Sequence, residues 1–406
     1  MDSTARLLIY SHDSFGLGHL RRCRAIAHSL VERFRNLSVI ILSGSPIIGS
    51  FDFRARVDFV RVPGVIKLRH GGYEPLQLHI DLEQTLDLRA AIIRQTARSF
   101  RPHLFLVDKE PLGLRGEVES TLGDLRRVGC RIVLGLRDVM DEPVALHEEW
   151  QRKGVAPALR QFYDEIWVYG LPQVFDPLAE LPEIGAVADK VTFTGYLRRH
   201  VSDAPLGVAP EALPREPYIL VTPGGGGDGD ELIDWVLRAY ETEPDLPHPA
   251  LIVFGPFMSH ELRSGFEARV ARLPRVHAIT FEARFEQLMA GAVGVVGMGG
   301  YNIFCEILSF AKPTLLAPRT HPRQEQSLRA ERAAALGLVR VLPDTGARDP
   351  AAMARELRRI ASWPIPDADR VPGLLDGLER IADLAEPWLG DARPTQLRAA
   401  ARALWP

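Results

Sequence analysis

The stretch Gly297–Ala330 constrains the fold of this chain more than any other. An apolar run ends in a glycine-rich turn at 297–300, and a helical segment carrying Glu306 follows. A second apolar run, 313–317, then opens into a polar loop and another helix. This order predicts a βαβ unit whose first junction can hold a phosphate, because glycines let backbone amides approach an anion and the helix N-terminus adds roughly half a positive charge. A carboxylate at Glu306 can accept hydrogen bonds from both hydroxyls of a ribose. The alternative for the whole stretch is an ordinary βαβ unit whose glycines only pack the turn.

A second glycine turn follows the first predicted strand, Leu7–Ser11. The turn ends in a Gly-x-Gly-His pattern at Gly16, Gly18 and His19, and a helix is predicted from Leu20. The ligand crevice of an open α/β sheet lies at the carboxyl ends of its strands, and a helix N-terminus disfavours an imidazolium ion. His19 is therefore a candidate general base, and a histidine that only caps the helix is the alternative.

Aspartates follow two further predicted strands of the same half. The strand 104–108 ends at Asp108, and the strand 131–136 is followed closely by Asp138. If the sheet is parallel, both carboxylates lie at the edge that holds His19. They are candidates for orienting an acceptor or for acid–base catalysis, and a loop carboxylate or helix cap is the alternative for either one alone.

The second half of the chain opens with a third glycine loop, between a predicted strand at 218–221 and a helix from Glu231. The loop contains four consecutive glycines, Gly224, Gly225, Gly226 and Gly227. Such a run is typical of an anion cradle. Asp228 and Asp230 spell the DxD metal-binding pattern of another transferase class, but their position directly before a helix favours N-cap and first-turn roles. Mg²⁺ is compatible with this loop and is not required by it.

Length and composition bound the remaining possibilities. A chain of 406 residues predicts two domains, and the segment 202–217, rich in Pro, Ala and Gly, predicts the linker between them. The net charge of −3 excludes the broad positive field of a nucleic-acid-binding protein. The three cysteines match no metal or redox spacing, which fits a reducing compartment. Because there is no signal-peptide pattern and no apolar run of roughly 18 residues, a cytoplasmic protein is expected. The segment 63–75 is predicted to be a loop.

The two glycine turns and the polar loop resemble a known enzyme family. The donor-site signature of GT-B glycosyltransferases, especially the bacterial lipid-intermediate N-acetylglucosaminyltransferase group, is matched at Gly299, Gly300, Asn302, Glu306, Pro313, Pro318, Glu325, Gln326 and Ala330. The sequence departs from that signature at Glu325, where Asp is usual, and at Arg329, where Asn is usual. The 16–22 opening, GxGHxxR, resembles both this group and the nucleotide-sugar hydrolases of nonulosonic-acid synthesis, and Arg22 matches the hydrolase version. A solvated first-turn position is the alternative for Arg22.

The resemblance implies an architecture. It is that of two facing Rossmann-like, doubly wound parallel-sheet α/β domains with a C-terminal helix that crosses back to the first domain. The implied bounds are 1–201 for an acceptor-side domain, 202–217 for the linker, 218–386 for a nucleotide-sugar donor domain and 387–406 for the crossing helix.

The resemblance also implies a function, namely transfer of a sugar from a nucleotide-diphosphate sugar, expected to be UDP-linked, to a hydroxyl acceptor, without an obligatory metal and with inversion. In this interpretation His19 is the base, Glu306 holds the ribose, and Glu325 and Gln326 contact the sugar. The full set of implied donor-binding residues is Gly16, Gly18, Gly224, Gly225, Gly226, Gly227, Gly299, Gly300, Tyr301, Asn302, Glu306, His321, Glu325 and Gln326. Two alternatives stay open: a nucleotide-sugar hydrolase in which His19 activates water, and a non-catalytic nucleotide-sugar-binding protein. A lipid acceptor would bring the protein to the inner face of a membrane, for polysaccharide or glycolipid synthesis. The sugar, the acceptor and the oligomeric state are left open.

Overall fold

The computed structural model describes residues 4–12, 17–68, 72–225, 227–344 and 346–390, apart from the side chain of Glu183. Two of the predicted site residues, Gly16 and Gly226, lie outside the described residues, as does most of the predicted terminal helix. The chain divides into two compact units. The first unit comprises Met1–Pro172, Asp176–Leu197 and Asp376–Pro406, and the second comprises Gln173–Phe175 and Arg198–Leu375.

A parallel sheet forms the centre of the first unit. Its strands are nearly continuous apolar runs buried on both faces, as expected where helices cover a parallel sheet on each side. The strands of this unit are Ala5–Ser11 (β1), Leu37–Ser43 (β2), Val57–Arg61 (β3), Val65–Lys67 (β4), Tyr73–Pro75 (β5), Leu104–Asp108 (β6), Arg131–Arg137 (β7), Glu165–Tyr169 (β8) and Val191–Phe193 (β9). The seven-stranded sheet has the order β3-β2-β1-β6-β7-β8-β9 and every pairing in it is parallel.

Amphipathic helices cover this sheet. They are Gly18–Arg33 (α1), Leu82–Phe100 (α2), Glu119–Arg127 (α3), Pro143–Arg152 (α4) and Val155–Phe162 (α5). On α1 the residues Leu20, Cys23, Ala27 and Leu30 recur at helical spacing and are buried. Leu8, Phe105, Leu122 and Leu134 belong to the core that these elements share.

The segment predicted as the loop 63–75 contains a hairpin instead. Strand β4 pairs antiparallel with β5, and Leu68 N donates to Gly72 O (2.8 Å). The pairing satisfies backbone groups that a loop would leave to water. Its sequence signal is weak because each strand has only three residues.

The second unit repeats the architecture with six strands and six helices in the described part of the chain. Its strands are Ile219–Thr222 (β10), Ala250–Val253 (β11), Val276–Ile279 (β12), Gly294–Gly297 (β13), Thr314–Leu316 (β14) and Arg340–Val341 (β15). Its helices are Asp230–Thr242 (α6), His260–Val270 (α7), Phe285–Gly291 (α8), Tyr301–Ser309 (α9), Glu325–Ala335 (α10) and Pro350–Arg359 (α11). The strand order β12-β11-β10-β13-β14-β15 is parallel throughout. The predicted doubly wound parallel sheets are therefore confirmed in both halves.

After the second unit the chain returns to the first through the helix Gly377–Leu389 (α12). Leu197 and Asp376 form an isolated antiparallel bridge, and Gly377 N donates to Tyr196 O (3.1 Å). The helix then packs against α1 and β1. No helix within the described ranges is long and apolar enough to cross a membrane.

Strand order fixes where each sheet can bind a ligand. In the first sheet the order reverses between β1 and β6, and in the second it reverses between β10 and β13. The loops that leave adjacent strands in opposite directions open a crevice at this point, outside the carboxyl ends of the strands. Each unit therefore has its own candidate ligand position, at its own switch point.

Candidate active site

His19 and Asp108 meet at the switch point of the first sheet. His19 is the second residue of α1, and Asp108 is the last residue of β6, which pairs directly with β1. The Nδ1 atom of His19 contacts Oδ2 of Asp108. Asp108 is only 1% exposed, whereas the side chain of His19 keeps 16% of its surface open. A reactant can therefore reach the histidine but not the carboxylate behind it.

Arg22 completes this arrangement, one turn along α1 from His19. Its Nε donates to Oδ1 of Asp108 (2.8 Å) and its Nη2 to Oδ2 (2.7 Å), so the contact is bidentate. Burial alone would raise the pKa of Asp108, but Arg22 and His19 outweigh it and hold that pKa well below its ordinary value. Arg22 is itself fully buried, which excludes the solvated first-turn alternative.

The protonation state of His19 follows from these contacts. An ionised Asp108 can only accept a hydrogen bond, so Nδ1 of His19 carries the proton and Nε2 carries the lone pair. Burial lowers the pKa of His19; Asp108 opposes that shift, while Arg22 and Lys109 add to it, and the net pKa is lowered. The imidazole is therefore neutral near pH 7 and can accept a proton at Nε2.

A second histidine, His12, lies beside the first. Their rings meet edge to face with centroids 5.7 Å apart, and His12 is buried at the end of the β1 segment. Burial lowers the pKa of His12 well below its ordinary value, against the opposing effect of Glu110. Two neutral imidazoles therefore line this position without mutual charge repulsion. His12 is not among the predicted site residues, because no motif marks it although it precedes the glycine turn.

The third predicted catalytic residue, Asp138, has a different environment. It is completely buried and accepts a hydrogen bond from Tyr196 Oη (2.8 Å). Gly170 packs against its Cβ so closely that a side chain there would overlap it. This burial favours a structural role for Asp138 over direct proton transfer.

The glycine turns of the second unit lie at its own switch point. Gly224 follows β10 with φ +108°, and Gly299 follows β13 with φ +85°, conformations that L side chains rarely adopt. Gly300 is the N-cap of α9, and no atom lies within 4 Å of a Cβ added there. Backbone can therefore approach a ligand closely at this turn, and α9 directs its N-terminus to the same place.

Arg199, which is not among the predicted site residues, contacts both ends of α9. Arg199 Nη2 donates to Asn302 Oδ1 (2.7 Å), and Arg199 N donates to Ser309 Oγ (2.9 Å). Arg199 is the final residue of the pattern V-x-x-T-G-x-x-x-R that starts at Val191, so a signal for it existed. The contact brings a guanidinium to the predicted donor residue Asn302.

Glu306 and Tyr301 lie on the same short helix and are both buried. Glu306 has 0% exposure, and Tyr301 stacks near the guanidinium of the equally buried Arg329 (5.9 Å from Cζ to the ring centroid). Arg329 Nη1 also donates to Gly299 O (2.8 Å), which ties α10 to the glycine turn. In this conformation the Glu306 carboxylate is covered by protein, and a ribose would reach it only after neighbouring atoms move.

The polar loop before α10 is organised by Arg319. Its Nε lies 2.7 Å from Asp228 Oδ2, and its Nη2 lies 2.9 Å from Glu325 Oε1. In the amide orientation that satisfies both its atoms, Gln326 donates to Met298 O (3.1 Å) and accepts from Arg319 Nε (3.3 Å). The carbonyl of exposed His321 accepts from Arg319 Nη1 (3.2 Å).

One atom of this loop lacks a hydrogen-bond partner. Glu325 Oε2 is buried and receives no hydrogen bond within the described part of the chain. A buried carboxylate oxygen without a donor is costly, so the position is suited to a hydroxyl supplied by a ligand.

The predicted roles of the two aspartates in the glycine loop hold only in part. Asp230 is the first residue of α6, as expected for a first-turn acidic residue, but the N-cap is Gly229 and it makes no side-chain cap. Asp228 binds Arg319 instead of capping the helix. Across the described ranges, no group of three or more His, Cys, Asp and Glu side chains converges on a position that could hold a metal.

Comparison with known proteins bears on the fold. No protein-family model matches the chain, and no curated protein matches it. The structure of the glycosyltransferase VinC in complex with dTDP matches over 98% of this chain and 100% of its own, with 16% identity and a TM-score of 0.56. MurG of Acinetobacter baumannii matches over 94% and 98%, with 10% identity and a TM-score of 0.53. A UGT transferase from Siraitia grosvenorii in complex with UDP matches over 99% and 100%, with 13% identity and a TM-score of 0.55.

The chain has the GT-B fold. At these identities the likeness establishes the architecture alone, and a GT-B fold by itself does not decide the chemistry. The function must be argued from the side chains at the two switch points.

Proposed function

We propose that this GT-B protein is a glycosyltransferase that moves a sugar from a nucleotide-diphosphate sugar to a hydroxyl acceptor. The observation that carries the proposal is the buried contact of His19 with Asp108 and Arg22, which leaves a neutral imidazole with its lone pair on Nε2 at a ligand-binding edge. The three structures compared above are similar in fold, and two of them hold a nucleoside diphosphate, dTDP or UDP. UDP is the nucleotide that the sequence signature favours.

The proton transfer belongs to the first unit. Nε2 of His19 takes the proton of the acceptor hydroxyl as its oxygen forms a bond to the anomeric carbon of the sugar. Asp108 stabilises the imidazolium that results, since Nδ1–H already points at the carboxylate. A base positioned in this way contributes roughly 10²- to 10⁴-fold in rate.

Residues of the second unit stabilise the leaving group. As the anomeric carbon–oxygen bond breaks, its electron pair stays on the nucleoside diphosphate. The amides of Gly299 and Gly300 and the N-terminus of α9 stabilise that charge, and Arg199 adds a guanidinium at Asn302. No metal is required for this step.

Recognition of the sugar is assigned to Glu325 and Gln326. The buried Oε2 of Glu325 is an acceptor for a sugar hydroxyl, and the contact with Gln326 holds Arg319 beside it. Glu306 is assigned to the ribose, which requires local movement because the carboxylate is covered. His321, exposed on the same loop, is available to the donor as well.

A nucleotide-sugar hydrolase is the second candidate function. The observation that favours it is Arg22, which matches the hydrolase version of the opening motif and is bound to Asp108 rather than solvated. In that reaction Nε2 of His19 takes a proton from water, and the resulting hydroxide attacks the anomeric carbon. The products are the free sugar and the nucleoside diphosphate.

One experiment separates these functions. Nucleotide release is measured for UDP-, GDP-, dTDP- and CMP-sugars without an acceptor, for the wild type and for His19→Ala. Fast, stoichiometric release from one donor that disappears in the variant identifies the hydrolase. Slow or absent release, with tight binding of one nucleotide, excludes the hydrolase and is the result expected of a transferase whose acceptor is missing. Binding of a nucleotide sugar with no turnover across a panel of hydroxyl acceptors contradicts both enzymatic proposals.

A further inference from the structure

In the second unit an arginine side chain lies at a position for which the sequence predicts only acidic residues. Arg319, in the loop after β14, joins Asp228 of the glycine loop after β10 to Glu325 at the start of α10. Three segments that contain predicted donor-binding residues therefore share one guanidinium. Its side chain is 19% exposed, so a ligand can reach it.

The two carboxylate partners differ in how easily they can be exchanged. The side chain of Asp228 is 46% exposed, whereas that of Glu325 is only 6% exposed. If the Asp228 contact opens, water solvates the released carboxylate. Opening the Glu325 contact would leave a buried charge without its cation, which is far less favourable.

A diphosphate in the glycine loop would meet an electrostatic conflict. Gly224 and Asp228 belong to the same short loop, so an anion held by its amides approaches the Asp228 carboxylate. Arg319 already binds that carboxylate through Nε, and the same N–H can donate a charge-assisted hydrogen bond to a phosphate oxygen. A guanidinium that moves from Asp228 to the phosphate neutralises one phosphate charge without a metal, and the exposed Asp228 carboxylate is then screened by water.

We propose that Arg319 is the counterion of the donor's diphosphate and that it keeps Glu325 while exchanging Asp228 for a phosphate oxygen. The inference rests on the proposed function, because it needs a nucleoside diphosphate in this unit. Under this proposal Asp228 competes with the ligand for Arg319. The Asp228 carboxylate binds the guanidinium in the free protein, and the diphosphate replaces it when the donor binds.

The competing interpretation is a purely structural role, in which Arg319 only holds the two loops in place. The two interpretations predict opposite effects for Asp228→Asn. If Asp228 is a competitor, its removal strengthens diphosphate binding. If the ion pair is structural, removing one of its two carboxylates loosens the loops and weakens binding. They also differ for Arg319→Gln, because a lost phosphate contact affects only ligands with phosphates, while a loosened loop affects the nucleoside as well.

The experiment measures binding of UDP and dTDP, with uridine and thymidine as phosphate-free probes, by calorimetry on the full chain at low salt. Arg319→Gln is expected to weaken diphosphate binding about 10- to 100-fold and leave the nucleosides unchanged. Asp228→Asn is expected to strengthen diphosphate binding roughly 2- to 5-fold. Both effects should shrink as salt is added.

Arg269→Gln is the matched control. Arg269 also bridges two carboxylates of the same unit, Asp234 (2.7 Å) and Glu241 (2.8 Å), and its side chain is 20% exposed. It should lose a comparable ion pair without any change in binding. Unfolding midpoints of all three variants show whether each is folded.

Three results would overturn the inference. The first is an equal loss of diphosphate and nucleoside binding in Arg319→Gln, and the second is weaker diphosphate binding in Asp228→Asn. The third is wild-type affinity for the diphosphates in Arg319→Gln. In each of these the wild type still binds a diphosphate, so the proposed function stands. A wild type that binds neither UDP nor dTDP instead removes the nucleotide site itself, and this inference with it.

Discussion

Nδ1 of His19 donates a hydrogen bond to Oδ2 of Asp108, although 89 positions separate the two residues in the chain. The parallel pairing of β1 with β6 brings them together, since the helix after β1 begins where β6 ends. Asp108 is buried and stays ionised because Arg22 binds both of its oxygens. The pair thereby fixes the tautomer of the imidazole and directs Nε2 away from the carboxylate.

Asp108→Asn should impair turnover without affecting the donor site. The amide cannot stabilise an imidazolium and leaves Arg22 buried without its carboxylate, so nucleotide release with the preferred donor should fall about 10²- to 10⁴-fold. UDP binding, measured by calorimetry, should match that of the wild type because Asp108 is not among the residues assigned to the donor. Retained turnover in a folded variant would mean that His19 works without an orienting carboxylate.

The acid limb of the pH–rate profile should have its midpoint below about pH 6.5, the ordinary pKa of histidine. Burial lowers the pKa of His19, with Arg22 and Lys109 acting in the same direction against Asp108. A base works when it is deprotonated, so kcat/KM should stay level down through about pH 6.5 and fall only at lower pH. Steady-state rates in overlapping buffers test this. A midpoint above about pH 6.5 would contradict the neutral-base assignment.

Glu306→Gln should weaken UDP binding more than binding of 2′-deoxy-UDP. If the carboxylate accepts both ribose hydroxyls, the loss should be about 10-fold for UDP and smaller for the deoxy ligand, which lacks one of those hydroxyls. Because Glu306 is fully buried, the variant must first be shown to be folded by its unfolding midpoint. Equal losses for both ligands would assign Glu306 to the packing of α9 instead.

Gly135→Ala should destabilise the first unit. A Cβ at Gly135 would lie 2.0 Å from Tyr169 Oη and 2.6 Å from Cζ of the same ring, which is fully buried and has no solvent to move into. Urea unfolding should report a loss of about 1–3 kcal/mol. Gly123→Ala is the control: no atom lies within 4 Å of its Cβ in α3, so it should be neutral or raise stability by up to ~1 kcal/mol.

His28 should make the free energy of unfolding depend on pH. Burial lowers its pKa to about 3, and Arg24 and Arg54 add to the shift. Between that value and the unfolded value of about 6.5 the unfolded chain binds more protons, so the contribution of His28 is present above pH 6.5 and is lost as pH falls. Stability should therefore decrease less on acidification in His28→Gln than in the wild type. Urea unfolding at about pH 7 and pH 5 measures both slopes, and parallel slopes would contradict the prediction.

Much of the fold can be predicted because its signals are local. The apolar runs of β1, β6 and β10 are buried strands wherever they lie in the sheet, and Gly224 and Gly299 mark turns through their own backbone freedom. Alternation of such strands with helices leaves a parallel, doubly wound sheet as the favoured arrangement. The hairpin of β4 and β5 was missed because three-residue strands carry too little pattern.

The candidate site was predictable only residue by residue. His19, Asp108, Glu325 and Gln326 each follow from a motif or a strand end. Asp138 follows from the same reasoning as Asp108, yet Asp108 contacts His19 whereas Asp138 binds Tyr196, because a buried carboxylate after a strand has the same local pattern whichever side chain it meets.

The amino-acid sequence by itself determined the strands, the glycine turns and the chemical groups that the chain can offer. Tertiary structure alone decided which of these groups meet. Arg22 binds Asp108 across 86 positions, and Arg199 binds Asn302 across 103. Arg319 forms ion pairs with Asp228 and Glu325, which its sequence position alone does not predict. The reason is that helix and strand preferences act over a few neighbouring residues, whereas the charge state and partner of a buried side chain depend on atoms that only the packed sheet brings within hydrogen-bonding distance.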